Sequence, residues 1–109
     1  MVNEILAAAN IQGRRGRFTG AKPQTYVVWF DDTDTDPSPD LVPGAPLTIQ
    51  HNVTLELYED RPDPSVETAL ETAIIGAGLH FTKQDRYWLQ TEQQYQVIYE
   101  FFYNEKRRA

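Results

Sequence analysis

Two histidines, His51 and His80, are the side chains that titrate near neutrality, and the sequence contains no cysteine. The absence of thiols removes disulfides, thiol nucleophiles and thiolate metal sites. Neither histidine stands in an HxH or HExxH spacing, so no metal and no cofactor are expected. His51 interrupts an otherwise apolar strand face. It is read as a half-buried imidazole hydrogen-bonded to a neighbour, against the sharper reading of ligand or general base. Asp32, Asp34 and Asp36 have the spacing of the opening ligands of an EF-hand loop. Pro37 stands where that loop needs its turn glycine, however, and Pro43 where its bidentate glutamate belongs. Arg14, Arg15 and Arg17 could grip phosphate with their guanidinium forks. With no aromatic residues interleaved, a solvated basic loop is the better expectation. No Gly-rich phosphate loop or nucleophile elbow is present, and the remaining carboxylates lack a frame to hold them for acid–base work. An enzyme is not expected.

The chain of 109 residues is expected to form one domain with a single core. Its net charge of −6 argues against a general nucleic-acid binder. The charge is uneven: acid gathers at Asp31, Asp32, Asp34, Asp36 and Asp40, and base at Arg14 to Arg17 and at Lys106 to Arg108. No apolar run is long enough to span a membrane, and the start MVNEILAAANI does not resemble a secretory signal.

The element that must organise everything else is Leu47 to Tyr58. Leu47, Ile49, His51, Val53, Leu55 and Leu57 alternate with Thr48, Gln50, Asn52, Thr54, Glu56 and Tyr58, the period of a strand with one face on a core. Its span of roughly 40 Å requires long partners. Gln24 to Phe30 reads as a second strand, apolar on both faces. Tyr95 to Tyr103 reads as a third, with Tyr95, Val97, Tyr99, Phe101 and Tyr103 inward. Ile98 and Phe102 then fall on the side that should be wet, and Trp29 needs cover that a small sheet does not supply. These three are the candidate subunit or partner interface.

Val2 to Asn10 is expected to be a short helix capped by Asn3, and a second helix starts from Asp63 and Pro64. Val66, Leu70, Ala73, Ile74 and Ala77 form the buried stripe of that second helix, with Glu67 and Glu71 outside. Leu79 to Lys83 and Arg86 to Gln90 read as strand segments. Residues 31–46 read as a flexible acidic loop and 104–109 as a frayed charged tail. The fold class is α+β, an antiparallel sheet of four to five strands with two helices packed on one face.

Gly16-Arg17-Phe18, Lys22-Pro23 leading into Tyr26 to Phe30, an acidic loop, Glu56-Leu57-Tyr58 followed by acid, a Pro/Asp-capped helix, and Tyr95 to Phe101 occur in an order that resembles the tail-completion proteins of long-tailed bacteriophages. These are the tail terminators, or tail-to-head joining proteins, and the likeness covers nearly the whole chain. The resemblance implies a small α+β structural protein of the virion, monomeric or not before assembly in the host cytoplasm. It implies a hexameric ring that caps the tail tube and meets the head connector. The expected partners are other copies, the tail-tube protein and the connector proteins. DNA would pass through the channel without specific binding. The five aspartates would either face that channel, where like charge repels phosphate, or lie on the outer rim. A head-completion stopper or adaptor, a small nucleic-acid-binding domain using Arg14, Arg15 and Arg17, and a small-molecule enzyme are the alternative readings.

Overall fold

The computed structural model describes residues 1–17, 23–35 and 46–108. Asp36, Asp40, Phe18 and Lys22 lie outside the described residues. Eight elements follow in order: α1 (Val2–Ala9), β1 (Gly13–Arg15), β2 (Thr25–Thr35), β3 (Pro46–Glu59), α2 (Pro64–Gly76), β4 (Thr82–Lys83), β5 (Tyr87–Leu89) and β6 (Gln94–Arg108). The sheet order is β1-β2-β3-β6-β4, with β5 also paired to β6.

β3 has the alternating pattern along its whole length, and it is paired antiparallel on both edges. β2 runs beside it from Thr25↔Glu59 to Thr35↔Ile49, and β6 from Tyr95↔Glu59 to Arg108↔Pro46. At about 3.3 Å per residue such strands set the long dimension of the molecule, which measures 52 × 27 × 23 Å.

Two segments expected to be irregular are strand. Asp31–Thr35 continues β2 instead of opening a loop, and Asn104–Arg108 continues β6 instead of fraying. The reason is common to both. A ladder forms through the backbone, and β3 offers the backbone partners Ile49 to Val53 and Pro46 to Gln50 for these residues. Charged side chains can point to solvent from a paired strand.

The expected all-antiparallel sheet is mixed. Gly13–Arg15, read as a basic loop, is a short strand parallel to β2 at Val27–Trp29. Gly13 lets it lie close under α1, because a Cβ there would run into the Leu6 side chain.

The odd-numbered face of the three long strands carries the core. Val27, Val53, Leu55, Leu57, Val97, Tyr99 and Phe101 form one cluster with Val2, Ile5, Leu6 and Ala9 of α1 and Leu70 and Ile74 of α2. Both helices therefore add to the core on this face. The i, i+3, i+4, i+7 spacing of the α1 residues gives a stripe that docks a helix too short to persist alone. Its N-cap is Met1 without a side-chain bond, not Asn3, and the terminal ammonium pairs with Glu4 at 2.6 Å. Asn10 closes α1 in the left-handed region at φ 57°, a conformation asparagine tolerates.

α2 starts as expected, with Asp63 Oδ1 accepting from the Ser65 N–H at 3.0 Å and Pro64 in the first turn. Beyond its end, Gly78 takes φ +81°, which favours glycine.

Leu55 sits at 0% exposure in the middle of the core. Leu55→Asp should cost several kcal/mol, because the carboxylate would be buried without a partner. The expected outcome is loss of the cooperative thermal transition by circular dichroism. A melt close to that of the parent would contradict the inward placement.

Candidate functional site

The even-numbered face of the sheet is not covered by the helices, and it carries two of the three candidate interface residues. Register sets rows across β2, β3 and β6: Tyr26–Tyr58–Gln96, Val28–Glu56–Ile98, Phe30–Thr54–Glu100 and Asp32–Asn52–Phe102. The central strand is polar in the last three rows, so the apolar groups lie on the outer strands. Phe30 is 41% and Phe102 60% exposed, and Ile98 is half-buried. Phe30 was legible as strand but not as exposed, because only the sheet edge decides how much cover its face receives.

One end of this face is ordered by hydrogen bonds. The Tyr26 and Tyr58 rings stack at 5.0 Å. Tyr26 OH donates to Gln94 Oε1 at 3.1 Å, and Gln96 Nε2 donates to Tyr58 OH at 2.9 Å. Burial, with the Glu56 carboxylate beside it, pushes the Tyr58 phenol up to about 12. A shallow depression here is lined by Arg17, Val28, Phe30 and Glu92, among others.

Trp29 lies on the opposite face. It packs against the core, with the Arg15 guanidinium 5.5 Å over its ring. The structure therefore does not bring Trp29 together with Ile98 and Phe102. Arg14 and Arg15 alternate on β1, and Arg17 follows it. Arg15 Nη2 also donates to the Asp31 carbonyl at 3.4 Å.

The acidic segment divides in the same way. Asp32 and Asp34 are exposed, and Asn52 Nδ2 donates to Asp34 Oδ2 at 2.9 Å. Asp31 turns to the helix side and meets His51. The His51 Nδ1 lies 2.8 Å from Asp31 Oδ2 and its Nε2 lies 2.7 Å from Glu105 Oε2, while its ring stacks on Tyr103 at 4.5 Å. Ionised carboxylates only accept, so imidazolium is the form that satisfies both contacts. The hydrogen bond to Glu105 raises the His51 pKa, burial opposes it, and Asp31 adds to the rise. The two carboxylates flank the ring on opposite nitrogens, so the group ties β2 to β6 across β3. Neither nitrogen is left to act as a base.

A second polar cluster joins α2 to the strands. Glu67, expected on the outer surface, is 4% exposed and pairs with Arg86 and, at 3.0 Å, with Lys83. Lys83 also reaches Glu71 at 3.0 Å, and Tyr99 OH donates to Glu71 Oε2 at 2.8 Å. Burial lowers the Lys83 pKa, but the hydrogen bonds to Glu67 and Glu71 outweigh it and the net shift is upward. The signal was present in the spacing, since Glu67, Leu70 and Ile74 fall at i, i+3 and i+7. A charge on that stripe has to be paired.

The raised His51 pKa has a definite sign in stability. A folded pKa above the unfolded value means that the clamp contributes fully below about pH 6.5 and is lost as pH rises through the folded value. The urea midpoint of the parent should exceed that of His51→Gln most at pH 6, and the gap should narrow towards pH 9. A gap independent of pH would contradict a protonated clamp.

No protein-family model and no curated protein matches the chain. Its fold is similar to that of a chain in the "Virion of native gene transfer agent (GTA) particle", with a TM-score of 0.58 and 13% identity. The match covers 96% of this chain and 84% of that one, so at this level of identity the two share a fold over nearly their full length.

Proposed function

We propose that this chain is a structural component of a phage-like virion, and more narrowly a tail terminator. In this reading it caps the tail tube and joins it to the head connector as a ring of copies, six by the family resemblance. The observation that carries the reading is the likeness of fold to a virion chain over 96% of this chain. The order of motifs along the sequence supports the narrower assignment. The role is one of assembly, with no catalysis and no cofactor. The tail-tube protein, the connector proteins and further copies are the partners, and the virion tail-head junction is the location.

Phe30, Phe102 and Ile98 on the uncovered face supply apolar surface for such contacts. A channel-facing role for the acidic segment is proposed only for Asp32 and Asp34 of the described residues, because Asp31 is held by His51. Arg15 is engaged with Trp29 and Asp31, which weakens a nucleic-acid reading of the basic segment.

Electron microscopy of particles made without this protein tests the assignment: filled heads and unjoined tails are expected. Normal joined particles would overturn it. At residue level, Phe102→Ser and Ile98→Ser should each leave a folded chain that fails to complement phage lacking the gene. Rescue to parental titre by both variants would remove them from the interface.

A further inference from the structure

Part of the long sheet is only three strands wide. β1 pairs with β2 at Val27–Trp29, while β4 and β5 pair with β6 between Gln94 and Glu100. Among the described residues, no strand pairs with the outer edge of β2 from Phe30 to Thr35, or with the outer edge of β6 from Phe102 to Arg108. Unpaired edges of this length are templates for another strand.

The two edges carry opposite charge. β2 ends in Asp31, Asp32 and Asp34, and β6 ends in Lys106, Arg107 and Arg108. Glu105, the one acid on the basic edge, is turned to the inner side, where it meets His51 opposite Asp31. Asp32, Asp34 and Lys106 are exposed on the other side.

Both β2 and β6 run antiparallel to β3, so they are parallel to one another. We infer that successive copies of this chain join head to tail, the β6 edge 102–108 of one copy pairing in parallel with the β2 edge 30–35 of the next. A two-fold contact would set acid against acid or base against base, whereas the head-to-tail contact sets acid against base. One register satisfies more than charge. With Lys106 beside Asp34, Asn104 falls beside Asp32 and Phe102 beside Phe30, all on the uncovered face. The two phenylalanines, 60% and 41% exposed in the single chain, then cover each other. A head-to-tail contact leaves one acidic and one basic edge free until a ring closes. The inference rests on the ring reading above and names the contact that would build it.

The chain has no cysteine, so a pair of introduced thiols reports this contact alone. Adjacent strands lie about 4.8 Å apart, within the about 4.4–6.8 Å Cα separation a disulfide accepts. Oxidation of the Asp34→Cys/Lys106→Cys double variant should give a ladder of linked oligomers on a denaturing gel, and each single variant should give none. Light scattering on the same samples separates the two levels of the proposal. Oligomers without a ladder would overturn the edge contact and leave the ring standing. Linked dimers from either single variant would overturn it in favour of a two-fold contact. Absence of both ladder and oligomer would overturn head-to-tail association through these edges, whereas the ring reading, which allows a monomer before assembly, stands or falls on the particles made without this protein. Charge reversal gives an independent check: Asp34→Lys and Lys106→Asp should each lose oligomers, and the combination should regain them.

Discussion

β3 is paired with β6 along its whole length and with β2 from Ile49 to Glu59, and the rest of the molecule depends on that constraint. A central strand with neighbours on each side has no freedom of register, because a slip of one residue would turn Val53, Leu55 and Leu57 to water and Thr54, Glu56 and Tyr58 to the core. Once β3 is set, every inward residue of β2 and β6 is set with it. The helices then dock on the odd-numbered face, their buried side chains forming one cluster with Val27, Leu55, Leu57 and Tyr99.

Apolar burial does not extend evenly along this ladder. Where the inward face reaches His51, the core gives way to an imidazole held between Asp31 and Glu105, with Tyr103 stacked on it. Where α2 meets β4 and the approach to β5, Glu67 and Glu71 face Lys83 and Arg86. Each cluster pairs its charges because an isolated one would cost too much to desolvate. Removing one partner therefore harms more than the pair itself stabilises. Glu59 shows the less favourable case. Its Oε2 accepts from the Asp63 N–H at 3.1 Å while its other oxygen is buried without a partner, and burial raises its pKa.

The surface left over is organised as well. The helices take one face of the sheet, and the short strands β1, β4 and β5 take parts of its two edges. What remains is a face with a polar central strand and aromatic groups towards its outer strands, continuous with two edges of opposite charge. Such an arrangement suits contacts that extend the sheet sideways better than contacts that stack on it. In the proposed head-to-tail assembly, the left and right margins of the three-stranded segment are the two different surfaces that a repeating contact needs.

The sequence alone determined the long strands and the two helices, because period-two alternation, the apolar stripe of α1 and the Asp63–Pro64 start are local patterns. It also determined the inward set Val53, Leu55, Leu57, Val97, Tyr99 and Phe101, since a strand's alternation assigns faces without reference to its partners. Tertiary structure decided the rest. Asp31–Thr35 and Asn104–Arg108 read as loop and tail by composition, and they became strand because β3 extends far enough to pair with their backbones. Gly13–Arg15 became a parallel edge strand because Gly13 can lie against Leu6, a contact between elements that no local pattern announces. Trp29 was separated from Ile98 and Phe102 by the pleat once all three strands were in register. Glu67 went inside because Lys83 and Arg86, far along the chain, arrived to pair with it. Local pattern specifies which face a side chain takes, but the partner that covers or pairs it is chosen only when distant segments meet.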